Sequence, residues 1–305
     1  MSDSSPFGVP LQPDPAVALI APVCKRPQPG PVHRAQFVVE LVGPRSIAAT
    51  SANALLQPQW YEGLGRPQVF VLSPADTVWR PLAVTSGGSY DSLALCWDIV
   101  TLQGELSSVS GHHLLTMAES FASQVNRRAI PLPPPADLDR TAKTIEKIRA
   151  NLDVGISMVV LPPAGLIAER DLWVQCSRLG LTFGTTGAFE WRSDDHPSPL
   201  FSVTPIGNAE RFSLRGVQTE TLHEGVTLGF NVPTSPAPMA AVDGLFHAGD
   251  VLAQSVEGAV FDPEGQPMNA KMRDRVRRDL LGSVQVLEEV GVSPGSAAAL
   301  KIFSD

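Results

Sequence analysis

Three short stretches of the sequence combine residue types that do chemistry in other proteins, and each also has a plainer reading. Gly291-Val-Ser-Pro-Gly295 has the G-x-S-x-G spacing of a hydrolase nucleophile. A serine in that motif reacts when a strained strand-to-helix elbow presents it to a histidine base. Here the motif follows a predicted helix near the chain end and no histidine comes after it. The plainer reading is a helix cap, with Gly291 left-handed and Pro294 blocking continuation. Asp194-Asp195-His196 offers carboxylate and imidazole, a donor set for a divalent ion, but neighbouring loop residues do not converge on one ion unaided, so a solvated hairpin tip is expected. His112-His113 fall at a predicted helix start and point apart, with His112 supporting the cap. No glycine-rich phosphate loop follows a strand. The expectation is therefore a non-enzyme with no catalytic residues, metal ligands, cofactor or small-molecule substrate.

Charge narrows the partners. Lys271, Arg273, Arg275, Arg277 and Arg278 form a basic cluster on a predicted helix, interspersed with Asp274 and Asp279. A solvated face is the plain reading, and contact with an acidic partner or anionic lipid is the sharper one. The chain as a whole carries a net charge of -8, which repels phosphate backbones and excludes nucleic acid as the expected ligand. Cys24, Cys96 and Cys176 are odd in number, far apart and free of C-x-x-C spacing. That is the usage of a reducing compartment, not of a disulfide framework or zinc site. No run reaches the ~18 apolar residues that a bilayer span needs. The apolar stretch 16–23 is too short, is broken by prolines and lacks a basic segment before it, so it does not read as a secretory signal.

The elements that position these residues follow a repeated plan. Residues 1–33 read as a disordered Pro-rich arm. Two domains come after it, at 34–151 and 152–305. Each opens on an apolar strand, 37–42 and 156–161, that runs into a Gly/Pro turn and an amphipathic helix, 46–56 and 168–179. A Leu-Gly pair then leads into a second strand: Leu64-Gly65 before 69–72, and Leu179-Gly180 before 181–191. Each half continues with an alternating strand, 93–100 and 226–232, where period two means one buried sheet face. A longer helix (113–126, 242–256), a short strand with a proline loop (129–135, 259–267) and a charged final helix (137–150, 269–290) close each half. Pro131 to Pro135 would read alone as a linker, but the repeat places it inside a domain. The first half lacks a clear counterpart to the strand at 200–207.

The second half resembles the C-terminal, FtsZ-binding domain of the ZipA cell-division family. The residues that carry the likeness are Gly180-Leu-Thr-Phe-Gly184, Pro199-Leu-Phe-Ser-Val203, Phe212, Gly225-Val-Thr-Leu-Gly-Phe-Asn-Val-Pro233, Phe246, Ala253, Gly258-Ala-Val-Phe-Asp262 and Gly291-Val-Ser-Pro-Gly-Ser-Ala-Ala-Ala-Leu300. The resemblance implies an α+β chain of two tandem ZipA-like domains, the first diverged, each an antiparallel sheet with helices on one face. It also implies a partner, the C-terminal tail of the tubulin-like GTPase FtsZ, bound on the bare sheet face. The family's place is the cytoplasmic face of the inner membrane at the division site, reached through an N-terminal anchor. In this chain, membrane proximity would come through an anchor that was removed, or the chain is a soluble relative.

Strand alternation points to the same face. Along 200–207, Phe201 and Val203 oppose Ser202, Thr204 and Ile206. Along 226–232, Val226, Leu228, Phe230 and Val232 oppose Thr227, Gly229 and Asn231. On the second strand Thr186 and Ala188 lie opposite Phe189. The apolar set is expected to pack on helices. Thr186, Ala188, Ser202, Thr204, Ile206, Thr227 and Gly229 are expected to form the peptide-binding face, with Ile206 as its main apolar anchor. A peptide-interaction module with a different partner is the first alternative, because the family's groove is more apolar than this set, and an enzyme of unknown type is the second.

Overall fold

The computed structural model describes residues 11–74, 77–84, 87–207 and 209–304. Contacts divide the chain into two bodies. The N-terminal body holds residues 27–152 and 296–304, and the C-terminal body holds residues 11–26 and 153–295. The ends of the chain thus belong to the opposite bodies from those that the order of the sequence gives them.

The N-terminal body begins with β1 (Gln36–Val42), β2 (Ile47–Ala48), α1 (Ala49–Ala52), a 3-10 turn at Asn53–Leu56 and α2 (Pro58–Gly63). The single helix expected over 46–56 is split. Pro58 disfavours helical backbone at the residue before it, and Gln57 is extended (φ -72°, ψ 141°). Then come β3 (Gln68–Leu72), β4 (Trp79–Pro81), β5 (Ser89–Tyr90), β6 (Ser92–Asp98) and a small hairpin of β7 (Val100–Thr101) and β8 (Gly104–Glu105). The helix α3 (Ser108–Gln124), β9 (Arg128–Leu132) and α4 (Leu138–Leu152) follow. Ser107, not His112, caps α3: its side chain accepts from Ser110 N, while His112 Nδ1–H donates to Ser108 O inside the helix at 2.8 Å. The sheet is antiparallel in the order β4-β3-β6-β1-β9. Arg127 is buried, and its guanidinium donates to the carbonyls of Leu41, Arg45, Tyr90 and Asp91.

The C-terminal body has the elements β10 (Gly155–Leu161), β11 (Ile167–Ala168), α5 (Glu169–Arg178), β12 (Thr182–Phe183), β13 (Phe189–Trp191) and β14 (Phe201–Ile206). They continue with α6 (Leu214–Gln218), β15 (Leu222–His223), β16 (Gly225–Asn231), α7 (Pro238–Ser255), β17 (Ala259–Phe261) and α8 (Ala270–Glu289). The antiparallel sheet runs β12-β13-β14-β16-β10-β17. The helix α7 packs on β10, β16 and β17, with α5 and α8 beside it. The fold is α+β, built from antiparallel sheets and packed helices.

Both Leu-Gly pairs of the repeat end helices. Gly180 N donates to Ser177 O and Leu181 N to Cys176 O, with Gly180 left-handed at φ 78°. Gly65 N and Arg66 N make the same two bonds to Glu62 O and Tyr61 O. This double closure satisfies the last carbonyls of a helix and turns the chain back. Gly291 does the same after α8, through Glu288 O and Leu287 O, so the G-x-S-x-G stretch is a cap. It leads into α9 (Ala297–Phe303), whose Lys301 bonds Asp98 at 2.8 Å within the N-terminal body.

The basic cluster on α8 is partly engaged. Arg273 pairs with Asp250 and Arg277 with Asp243 at 2.8 Å, and both guanidinium groups lie over the Phe246 ring. Asp194 and Asp195 are exposed, as a hairpin tip requires, but His196 is buried and its Nε2–H donates to Gly295 O at 3.0 Å. Among the described residues no three His, Cys, Asp or Glu side chains gather as a metal site does.

Two fastenings shape the C-terminal body. From residue 11 the segment expected as a free arm is held: Asp14 N donates to Arg178 O, Leu19 N to Leu179 O, His247 Nε2–H to Val17 O and Cys24 N to Ser193 Oγ. The first ten residues of that arm lie outside the described residues. The Arg178 guanidinium also donates to the Asp14 carboxylate at 2.6 Å, and that bond, with the Ala16 N–H, lowers the Asp14 pKa below 3.8. A depressed carboxylate stabilises above its unfolded value and stops doing so as pH falls through its folded one. Arg178→Ala is expected to lower the hydrogen-exchange protection factors of the Ala18 and Leu19 amides at neutral pH, and acid below about pH 4 to lower those of the parent once the intrinsic exchange rate is corrected for pH. Unchanged exchange in the variant would show that the arm is held without this pair.

The second fastening is a fully buried dyad. His223 Nε2 and Glu169 Oε2 are 3.1 Å apart, and Glu169 Oε1 accepts from Ser213 N at 2.6 Å and Trp173 Nε1 at 3.3 Å. One carboxylate thus ties α5, the start of α6 and β15, just before β16. Glu169→Ala strands several buried donors at once, and breaking a buried pair costs roughly 3–5 kcal/mol. A thermal melt is expected to show a loss of that order, and a melt within experimental scatter of the parent would refute the assignment.

Candidate functional site

Register decides which side chains share the bare side of the C-terminal sheet. In antiparallel pairs, residues directly opposite lie on the same face. Ser202 faces Glu190 on β13 and Gly229 on β16, and Gly229 faces Ser157 on β10. One row across the sheet is therefore Glu190, Ser202, Gly229 and Ser157. The next is Thr204, Thr227, Val159 and Phe261, and the third is Ile206, Gly225 and Leu161 with Ala259. The alternate rows hold Phe189, Val203, Leu228 and Met158, then Pro205, Val226 and Val160, all buried. They form the packed side.

Of the expected face residues, Ser202, Thr204, Ile206, Thr227 and Gly229 do fall together, each half-buried. Thr186 and Ala188 do not. The second strand is a short hairpin in which Gly184 N bonds Ala188 O and Gly187 is left-handed at φ 79°. Thr186 is in the exposed turn and Ala188 is buried before β13 begins. The β13 residue on the bare side is Glu190. It is 5% exposed, paired with Arg192, and seated over Gly184, where a Cβ would come within 2.6 Å of its carboxylate.

The structure adds apolar members that strand alternation missed. Val159, Leu161 and Phe261 share the face with Ile206. Gly225 makes this possible: a Cβ there would stand 2.7 Å from Leu161 Cδ2, so the leucine lies over a position without a side chain. β10 reads as an almost unbroken apolar run, and such a run carries no period from which to assign faces. The signal was available only in the pairing of β10 with β16. Phe230, expected among the packed residues, shares their side through Ile156 but is only half-buried, whereas Leu228 is fully buried.

The face is thus graded. Glu190, Ser202 and Ser157 make one end polar, and Ile206, Leu161, Val159 and Phe261 make the other apolar. The two threonines lie between. Thr204 and Thr227 are directly paired, so their methyl and hydroxyl groups form a low shelf with little relief. The middle of the face is therefore shallow.

Residues 155–279 match the family model described as ZipA, C-terminal FtsZ-binding domain. The match begins at the first residue of β10, takes in every strand of the bare face and ends within α8. A comparison with curated proteins finds no match. The matched family is a protein-binding division domain. The chain's similarity to the ZipA FtsZ-binding domain is therefore carried by residues 155–279, the sheet and helices of the C-terminal body.

Proposed function

We propose that the chain is a non-enzymatic cell-division adaptor, and that the bare sheet face of its C-terminal body holds the C-terminal tail of FtsZ. The observation that carries this reading is the coincidence of the family match with the apolar end of the face, where Ile206, Leu161 and Val159 stand together. The adaptor would act at the cytoplasmic face of the inner membrane at the division site. Among the described residues no helix is long and apolar enough to cross a membrane, so attachment there would rest on another segment or a partner.

The N-terminal body is, on this reading, a diverged copy of the C-terminal one. Support comes from the shared core β6-β1-β9 and β16-β10-β17, from the small pairs β2–β5 and β11–β15, and from the identical helix closures at Gly65 and Gly180. In the N-terminal body β3 stands beside β6, where β14 stands beside β16. Both sides of its central strands are apolar, with Val38, Phe70, Ala94 and Cys96 buried and Trp79 packed against them. Among the described residues that side offers no open face, which favours a scaffold role. A different peptide partner for the C-terminal body remains the second reading, favoured by the polar end at Glu190, Ser202 and Ser157.

Calorimetric titration with an FtsZ C-terminal peptide tests the proposal. Burying one large aliphatic side chain contributes roughly 1.5–3 kcal/mol, and ~1.4 kcal/mol is one decade of affinity. Ile206→Asp is expected to weaken binding by at least about tenfold while the thermal melt holds, because the side chain is half-exposed on the bare side. Leu228→Asp, on the packed side, is expected to unfold the body. Equal affinity of Ile206→Asp and the parent would place the tail elsewhere, and no binding by the parent at all would favour the second reading.

A further inference from the structure

The C-terminal body has a second opening, on the other side of β10 from β16. β17 pairs with β10 only from Val159 to Leu161. Continued pairing would bring residue 263 opposite Ser157, but residue 263 is a proline with no N–H to give, and the chain has already turned. Asp262 N bonds Gln266 O at 2.8 Å, and Gln266 N bonds Asp262 Oδ1. Backbone groups of Ile156 and Val160 point toward β16, since Ile156 O and Val160 O crowd Gly229 and Gly225. By alternation, Gly155 and Ser157 present theirs to the other side, where no strand meets them.

A cavity of about 440 Å³ lies along this free edge. Ile156, Met268, Met272, Val276 and Leu280 line it with apolar surface. Two of those five are methionines, whose flexible thioethers fit varied partners. Its rim carries the carboxylates of Asp262, Glu264 and Asp279 against the single guanidinium of Arg275, which stands 3.6 Å from Asp279. The opening therefore combines an unpaired strand edge, an adaptable apolar floor and a net negative rim. Each selects one property of an occupant: extended backbone, apolar side chains and positive charge.

We propose that this cleft is a second docking site, distinct from the bare sheet face, for a short extended peptide segment whose apolar side chains alternate with lysine or arginine. The segment adds to β10 at Gly155 and Ser157, seats its apolar side chains against Met272 and Val276, and sets its cations against Asp262 and Glu264. This is strand addition at a sheet edge, and it does not depend on what binds the bare face. With both sites present, one body would hold two segments, on opposite sides of β10 along the sheet.

The test uses the full chain and two labelled pentapeptides, Val-Lys-Val-Lys-Val and Val-Glu-Val-Glu-Val, read by fluorescence anisotropy and residue-resolved amide shifts. The lysine peptide is expected to bind saturably, to shift the Gly155 and Ser157 amides, and to bind at least about tenfold more tightly than the glutamate peptide at low salt. Ser157→Pro removes the edge donor without touching the β16 ladder, as edge positions allow. Val276→Arg fills the floor and repels the lysines from the half-exposed side of α8. Each is expected to weaken the lysine peptide by about tenfold or more with unchanged circular dichroism, and Ile206→Asp is expected to leave it alone. Equal affinity for the two peptides, full binding by both cleft variants, or shifts gathered on Thr204, Thr227 and Ile206 would overturn the proposal. FtsZ-tail binding at the bare face is titrated separately with the FtsZ peptide and the Ile206→Asp variant, so failure of the cleft and failure of the bare-face reading are told apart.

Discussion

The close seating of α7 on the C-terminal sheet is the contact on which the rest of that body depends. Two glycines set its distance. A Cβ on Gly244 would stand 2.4 Å from the Trp191 ring, and one on Gly249 would stand 2.4 Å from Met158 Cε. The helix therefore lies against large side chains: a Cβ at Gly244 would displace the helix or the Trp191 ring, and one at Gly249 would force the Met158 thioether aside. That approach buries Leu228, Val226, Met158 and Val203 on one side of the sheet. With strands of period two, burying that set commits the alternate set to the other side. The bare face is in this sense a consequence of α7: what is left when one helix has taken one side.

The composition of that remainder explains its shallow relief. β14 and β16 contribute Ser202, Thr204, Thr227 and Gly229, which are small or branched at Cβ and stand little above the backbone. Apolar bulk comes from β10 and β17, at one end only, and Gly225 gives Leu161 the room to lie flat there. A face so graded can hold the apolar side chains of a peptide at one end and satisfy polar groups at the other. The same strand that carries the apolar end, β10, has its far edge half uncovered where β17 turns away, so one strand borders both openings.

The connections are held as firmly as the sheet. Left-handed glycines close three helices with paired bonds, at Gly65, Gly180 and Gly291. Glu169 and His223 fix the segment between β14 and β16 from inside, and Gly216 admits the carboxylate, since a Cβ there would stand 2.0 Å from Glu169 Oε2. Arg127 has the corresponding task in the N-terminal body, satisfying carbonyls from three different segments with one guanidinium. Each oxygen of the Glu169 carboxylate has a partner, as buried charges require, whereas the buried His223 Nδ1 has no hydrogen-bond partner among the described residues. Buried polar groups of this kind also make the loops dependent on single residues.

Several features were legible in the residues alone. Alternation along 226–232 and 200–207 separated Leu228 and Val203 from Thr227 and Thr204, because a strand with one buried side must repeat every two residues. The Leu-Gly pairs marked helix ends, because glycine alone enters the left-handed region without cost. Other features required the fold. Thr186 and Ala188 left the face because the Gly184–Gly187 turn shortens the strand, and turn length is settled by what the turn packs on, here Phe212 N bonded to Gly187 O. Val159, Leu161 and Glu190 joined it because strand pairing, which is non-local, decides which residues are neighbours across a sheet. His196 became buried because Gly295, ninety-nine residues away, offered it a carbonyl. The proline-rich arm was read as free because it has no periodic apolar face, yet its backbone found partners on α5 and α7 that no local pattern could announce. The sequence by itself determined the elements and the sides of two strands, since those follow from local period and turn chemistry. Only the tertiary structure decided the rows of the face and the free edge of β10, since both are set by contacts between residues far apart in the chain.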